Sequence, residues 1–563
     1  MGQRNQESRV PTPSWSVSSL RGGYSLYQQL GDIGNLANIR KPGRDDIQDW
    51  PWCKKCPNEW VKTLYKSLLD TVVFSFFQFT RDFYFTYASV VFTAFSYKLT
   101  EFSYKMKSIL AINQVLSLLG TLLSQGQQVR ADNPIIQTIY TADPAPFVYN
   151  GRVYLFADHD EDGSTTYNMK DWRLFSSSDI VNWQDHGIVM SLQTFKWSNA
   201  NAWAGQVWPR NGKFYYYAPM RHTSGSMAVG VGVSDNITGP YVDALGKPLV
   251  QNNEFDPTIW IDDDNQAYMF WGNPNLWYVK LNQDMISYSG SPTKIQLTTA
   301  GFGSTSRGTT FTEGPWIYKR GSLYYLLYAA NGIPEDIRYS TAPRITGPWT
   351  YRGIIMPNQG KSFTNHPAVI DFNGTSYFFY HNGALPGGSG YTRSIAVESF
   401  VYKADGMFPT IQMTTNGPPQ IGTLNPYVRQ EAETIAFSSG LKTEVCSEGG
   451  MDVTNINNGD YIKVKGVAFG AGVGAKSFSA RVASSTSGGS IQLRQDSTSG
   501  SVIGTCNVAG TGGAQKWTTV TCPVSGATGT KDLFFRFTGN GSGQLFNFNW
   551  WQFEASNSSR IVV

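Results

Sequence analysis

Three carboxylic acids stand at matching places in a segment that the chain repeats. Asp143 lies in ADPAPFVYNGRVYLFA, Asp256 in FDPTIWIDDDNQAYMFWG and Glu313 in TEGPWIYKRGSLYYLLYAA. An Asp before Pro is by itself only a turn former, because its side chain bonds nearby backbone while proline fixes the bend. Three such acids gathered at one point can do more. Hydrolysis of a glycosidic bond needs one protonated carboxylic acid for the leaving oxygen and one ionised carboxylate to activate water or attack carbon. A third carboxylate can raise the acid's pKa by like-charge repulsion and hold it in place. Acid and base set about 6.5 to 9.5 Å apart across a channel leave room for the water that gives inversion.

The elements that would gather them are legible in the repeat. Two further copies, QVWPRNGKFYYYAPM and NHPAVIDFNGTSYFFYHNG, make five units. Measured on the turn residues Gly151, Gly212, Asn265, Gly321 and Gly374, the intervals are 61, 53, 56 and 53 residues. A period near 50 with several strands per unit predicts a β-propeller, here of five blades. Radial blades bring the starts of their first strands to one end of a central channel. Asp143, Gln206 with Trp208, Asp256, Glu313 and His366 occupy those starts. Unlike residues at equivalent places predict separate tasks, not a ring of identical binding sites. A β-sandwich with fortuitous turns is the competing reading.

Bulk properties agree with an all-β protein of more than one domain. The chain has 563 residues, 14% aromatic, 57 glycines and only 15% charged, which suits many short strands and tight turns. Residues 1–105 hold 13 of the 45 Lys and Arg and 9 of the 41 Asp and Glu, so the remainder is neutral. Nothing in that balance calls for nucleic acid. The apolar run VVFSFFQFTRDFYFTYASVVFTAFSY is broken by Arg81 and Asp82, a poor membrane span. MKSILAINQVLSLLGTLLSQGQQVRAD, from Met106, has a basic start, an apolar stretch and small residues at its end, the layout of a secretory signal peptide. Translation is therefore expected to start at Met106, with residues 1–105 an extension of the gene model and 106–131 the signal. Secretion is compatible with a disulfide between Cys506 and Cys522, in two segments that read as strands able to pair. Cys53 and Cys56 form a lone CxxC.

After a Gly/Pro/Asn-rich linker at 420–428, residues 429–556 turn rich in Gly, Ser and Thr with short alternating strands, as in a separate sandwich. Glu431 and Glu433 are two apart and share one face of a strand, an arrangement suited to a hard cation such as calcium.

ADPAPFVYNGRVYLF, FDPTIWIDDDNQAYMFWG, FTEGPWIYKRGSLYYLLY and YHNGALPGGSGYTRSIAVE resemble glycoside hydrolase family 43, a five-bladed propeller family with inverting chemistry, over residues 132–419. The resemblance implies that Asp143 is the general base, Glu313 the general acid, and Asp256 the residue that orients the acid and tunes its pKa. It implies further that Arg393, in YTRSIAVE, and Trp203, in NAWAGQVW, line the −1 sugar subsite. His381, in YHNG, resembles a channel histidine associated with calcium or ordered water. The region 429–556, through EAE, TEVCSEGG, NNGDYIKV, GGAQKWTTV and FNFNWWQF, resembles a family 6 carbohydrate-binding module of jelly-roll fold. That implies Tyr461 and Trp517 sandwiching a sugar, with Glu444 and either Asn547 or Asn549 bonding hydroxyls.

The expectation is thus a secreted, extracellular inverting glycosidase that releases α-L-arabinofuranosyl groups from arabinoxylan, a plant cell-wall polysaccharide. β-Xylosidase on xylo-oligosaccharides is the alternative within the family, and a silent glycan-binding propeller the alternative of another class. No cofactor is expected for catalysis; structural calcium is allowed for in the channel and the module. Neither nucleic acid nor stable membrane association is expected, and the chain is expected to be a monomer.

Overall fold

The computed structural model describes residues 132–556 apart from 305, 307–310, 473, 541 and 542. The expected extension, signal peptide and CxxC lie outside the described residues. Five antiparallel sheets follow one another along the first part of the chain. The first runs through Thr141–Tyr149, Arg152–His159, Asp171–Ser177 and Trp183–Ser191. The second is built on Gln206–Arg210, Lys213–His222 and Met227–Ser234, and the third begins at Thr258–Ile261. Glu313–Arg320 opens the fourth and Ala368–Phe372 the fifth. The turns that set the repeat are tight reversals. Gly151, Gly212, Asn265, Gly321 and Gly374 all have φ between 58 and 77°, the left-handed region that Gly and Asn enter most cheaply.

Each sheet touches the next through its opening strand. Phe147 meets Trp208 edge-on at 5.8 Å, and Trp208 meets Trp260 at 5.6 Å. Gln206 Oε1 accepts the N–H of Ile259, and Thr258 Oγ1 that of Ile317. Trp316 Nε1 donates to the Val369 carbonyl. The last sheet returns to the first. Residues 133–141 run beside Ser394–Phe400, with Ile135 N bonding Ile395 O and Thr141 N bonding Arg393 O, and Trp183 packs on Phe379 at 6.2 Å. Gln206 and Trp208 therefore work in part as joints between sheets.

The remaining chain forms two facing sheets. One contains Lys442–Val445, Met451–Thr454, Asn547–Ala555, Ala475–Ala483 and Trp517–Pro523; the other contains Phe437–Ser439, Tyr461–Gly470, Gly529–Thr538, Gly489–Gln495 and Val502–Val508. Phe478, Phe535, Phe548 and Trp551 fill the space between them and are fully buried. Their burial stabilises the pair by about 1.5–3 kcal/mol each. Cys506 and Cys522 are bonded, with Cα atoms 5.2 Å apart. Their strands do not pair as the sequence suggested: each belongs to a different sheet, and the bridge staples the two faces together.

The two parts are joined by more than a connecting segment. Thr434–Ile435 adds itself as a fifth strand to the first sheet, pairing with Trp183 and Gln184. Asn182 and Lys465 exchange hydrogen bonds, with Asn182 Nδ2 donating to Lys465 O at 3.0 Å and Lys465 N to Asn182 Oδ1 at 2.9 Å. Lys442 pairs with Asp162 and Lys463 with Asp132. Within the expected linker, Leu424 and Gly466 share a backbone bond and Gln420 donates to Asp179.

Candidate active site

The opening strands carry irregularities where the acids sit. The ladder of Thr141–Tyr149 shifts register between Ala142 and Ala145, and that of Glu313–Arg320 between Glu313 and Trp316. Asp143 has φ 50° and Asp256 φ 59°, a conformation that costs a non-glycine residue of order 1 kcal/mol or more and that clusters at functional sites. Gly314, at φ 61°, meets this demand without strain, and His366 lies so close that a Cβ there would sit 3.0 Å from its Nδ1.

Asp143 is buried and surrounded by cations and imidazoles. Arg393 Nη1 lies 3.3 Å, His381 Nδ1 3.1 Å and His366 Nδ1 3.6 Å from its Oδ1. Burial opposes its ionisation, but Arg393, then His381 and His366, outweigh burial and hold the carboxyl well below the ordinary range. Arg393 is itself clamped. Asp160, fully buried, accepts from its Nε at 2.9 Å, from its Nη2 at 3.0 Å and from its backbone N–H at 2.8 Å, while the Tyr167 ring lies 5.5 Å from the guanidinium.

Glu313 has the opposite setting. Burial first, then the Asp143 charge, push it up to about 7, against the opposing effects of Arg393 and of a hydrogen bond from Asn273 Nδ2 to Oε2. Asp256 accepts the Gly314 N–H at 3.0 Å, so it steers Glu313 through the adjoining backbone. The charge that lifts Glu313 most is that of Asp143, and Asp256 and Glu313 also repel each other. Asp256 is itself raised well above the usual range by burial, then by Glu313 and Asp143. Two buried carboxyls with pKa values driven apart, one ionised and one protonated near neutrality, are the complement that general acid–base chemistry needs.

Trp203 is half-buried, edge-on to Phe255 at 5.0 Å and to Tyr167 at 6.1 Å, and donates Nε1 to the Tyr167 carbonyl. Tyr167, Phe363 and Tyr391 form an aromatic triangle beside it. Three residues here escaped the sequence reading. Asp160 orients Arg393 across 233 positions. Asp158 is fully buried, neither of its oxygens accepts a hydrogen bond from the described residues, and burial followed by the Asp143 charge pushes it well above the usual range. Glu335 is buried near Glu313. The run ADHDEDG showed the two aspartates as a cluster, but only the fold tells that Asp160 clamps Arg393 while Asp158 lies against Asp143.

Among the described residues, the one group of three His or carboxylate ligand atoms close enough to share a cation is His159, Glu161 and Asp171. Those atoms already have partners in Arg173 and Lys170. His381 has Nδ1 against Asp143 and Nε2 3.3 Å from Thr364 Oγ1, so its ring is engaged by protein on both sides. Glu431 pairs with Arg429 at 2.9 Å, while Glu433 is buried with Oε2 lacking any donor.

In the sandwich, Glu444 and Asn547 come together. Asn547 Nδ2 donates to Glu444 Oε1 and to Asp452 Oδ1, and Gln515 Nε2 donates to the same two carboxyls. Trp517 lies at the edge of this cluster with Nε1 on Ser447 Oγ at 3.0 Å. Asn549 donates instead to Glu448. Tyr461 is a correction. Its strand turns Ile462 and Val464 inward, so Tyr461 and Lys463 point outward from the opposite sheet, and the ring stacks on Phe437 and Phe534 instead of facing Trp517.

Comparison with known proteins follows the same division. The family model described as glycosyl hydrolases family 43 matches residues 131–408, and that of carbohydrate binding module (family 6) matches 431–555. An arabinoxylan arabinofuranohydrolase of Bacillus subtilis (strain 168) is 36% identical over 482 residues, covering 75% of this chain and 92% of that protein. The chain belongs to glycosyl hydrolases family 43. An arabinoxylan arabinofuranohydrolase of Paenibacillus polymyxa is 34% identical to this family 43 chain over 77% of its length and 75% of the relative's. A crystal structure of a family 43 arabinoxylan arabinofuranohydrolase from Bacillus subtilis, in complex with cellotetraose, superposes with a TM-score of 0.66 at 34% identity, covering 76% of this chain and 99% of that one. The chain is a family 43 glycosidase with a family 6 module.

Proposed function

We propose that the protein releases α-L-arabinofuranosyl groups from arabinoxylan by inverting hydrolysis, with the five sheets arranged as blades of a propeller around the acids. The observation that carries this reading is the split between Asp143 and Glu313: one buried carboxyl held ionised by Arg393, the other pushed up to about 7. Asp143 then serves as general base, removing a proton from the attacking water as its oxygen bonds to the anomeric carbon. Glu313 gives its proton to the departing glycosidic oxygen. Asp256 orients Glu313 through Gly314, Arg393 fixes Asp143 and faces the sugar, and Trp203 walls the subsite. The two arabinofuranohydrolases that cover most of the chain favour arabinose over xylose as the product.

The sandwich holds polymer, with Trp517 stacking on a sugar face and Glu444 and Asn547 bonding its hydroxyls. Glu433, whose buried oxygen lacks a donor, and Glu431 suit a hard structural cation. Such a metal takes no part in the chemistry. The protein acts outside the cell, with translation starting at Met106 and residues 106–131 removed as a signal peptide.

The test is to express residues 132–563 and measure free arabinose and free xylose from wheat arabinoxylan and from linear xylo-oligosaccharides, beside Glu313→Ala. Arabinose alone, lost in the variant, is the expected result. Xylose from the linear chain makes the protein a β-xylosidase. No sugar from folded protein leaves a glycan-binding role.

A further inference from the structure

Glu335 follows Ile333 and Pro334 in the turn between Leu323–Ala330 and Asp336–Ala342. Register places it at the acid's end of the fourth sheet, because Glu313 pairs with Ala329 and Asp336 with Ala330. Its side chain is 1% exposed. The turn is pinned by Glu335 N donating to Phe363 O at 3.0 Å and by Asn358 Nδ2 donating to Glu335 O at 3.0 Å. Oε2 accepts the Asn365 N–H at 2.8 Å, beside the His366 that flanks Asp143. Oε1 takes no hydrogen bond from the described residues. The charged groups acting on this side chain are Glu313, Asp256 and Asp143, and Tyr167 responds to both Glu313 and Glu335. A carboxyl fixed by one oxygen at the acid's end of the fourth sheet, with the other free of hydrogen bonds from the described residues, is placed to meet substrate.

We propose that Glu335 is a fourth carboxyl of the catalytic pocket, hydrogen-bonding through Oε1 to a hydroxyl of the glycosyl unit being released. The identity of that unit as a pentose rests on the function proposed above. Burial, then the Glu313 charge, raises Glu335 well above the usual range, which favours the protonated form that can donate through Oε1. A site built to bond a substrate hydroxyl rejects the analogue that lacks it, because the protein group is left unpaired. Glu335 is then a specificity-determining residue, one that selects among pentoses by where their hydroxyls lie.

The experiment compares the unsubstituted protein with Glu335→Leu and Glu335→Gln on 4-nitrophenyl α-L-arabinofuranoside, 4-nitrophenyl β-D-xylopyranoside and the monodeoxy derivatives of whichever is cleaved. Glu335→Leu should lower kcat/KM about 10- to 100-fold on the parent glycoside, the range for one lost polar contact at a buried site. On the one deoxy glycoside that lacks the partner hydroxyl, the substitution should cost little, since the contact is already gone. Glu335→Gln should recover most of the loss, because its carbonyl can accept from Asn365 while its amide replaces the hydroxyl. An equal loss on every deoxy glycoside, with thermal melting showing a folded protein, means Glu335 only braces the Asn365 segment and overturns the proposal. No loss in Glu335→Leu overturns it as well. If the unsubstituted protein cleaves neither parent glycoside, the pentose reading falls and takes this proposal with it.

Discussion

Asn273 offers a direct test of how the acid is tuned. Its Nδ2 donates to Glu313 Oε2 at 2.5 Å, and a hydrogen bond to a carboxylate favours the ionised form. It therefore works against the burial and the Asp143 charge that push Glu313 up to about 7. Asn273→Ala removes the donor but keeps the backbone N–H that bonds Glu254 Oε2 at 2.6 Å, so the loop retains its anchor. A hydrogen bond to a charged group contributes about 1.5–3 kcal/mol, and one pKa unit corresponds to about 1.4 kcal/mol. Loss of the bond should thus raise the Glu313 pKa by about one to two units. The general acid must be protonated, so in the parent protein kcat/KM should fall about tenfold per pH unit above about 7. In Asn273→Ala that basic limb should move upward by the same one to two units, while the acidic limb, set by Asp143, stays in place. The assay is a pH profile of kcat/KM on an arabinoside with an unactivated leaving group, where acid catalysis matters most. A basic limb that stays put, or moves down, would refute the assignment of Glu313 as the acid held by these opposing effects.

Other perturbations probe the rest of the site and the fold. Arg393→Met should move the acidic limb upward, since Arg393 is the largest influence holding Asp143 down. The same change strands Asp160, fully buried, and should destabilise the fold by about 3–5 kcal/mol, measured by denaturant unfolding. Replacing both Cys506 and Cys522 by Ala should cost about 3 kcal/mol, the entropy of a loop spanning 16 residues, read from the melting of the sandwich against the oxidised parent. Trp517→Ala should abolish retention on insoluble arabinoxylan and lower turnover of that polymer more than that of a soluble aryl glycoside.

The repeat was readable because its signals are local. Gly151 through Gly374 mark turns that need left-handed backbone, and each is followed by an aromatic strand whose period does not depend on distant partners. The acids at the head of three of the five units were legible for the same reason. Asp160, Asn273 and Glu335 were not, since their meaning lies in partners up to 233 residues away, on other sheets. Tyr461 is an instructive miss. The alternation Tyr-Ile-Lys-Val already assigned Ile462 and Val464 to the core and Tyr461 to the other face, and resemblance to a sugar-binding motif overrode a period-two pattern that was correct. Glu433 is a second miss: it does not share a strand face with Glu431, because Glu431 ends the strand Gln430–Glu431 on the sandwich while Glu433 lies in the turn before Thr434–Ile435, which joins the first sheet, and its carboxyl is buried near Asp185.

The strand Thr434–Ile435, laid on the edge of Trp183–Ser191, changes what a second module does for an enzyme. A module on a loose leash raises the amount of substrate nearby and leaves its orientation to chance. Here the leash is a rung of the same ladder, secured by the mutual bonds of Asn182 and Lys465. The sandwich is thereby anchored to the sheet that carries Asp143 by backbone pairing as well as by side chains. Under the proposed function, a polymer held by the sandwich would meet the acids from a direction that this anchoring restricts, and the spacing of side groups along it would matter as well as their chemistry.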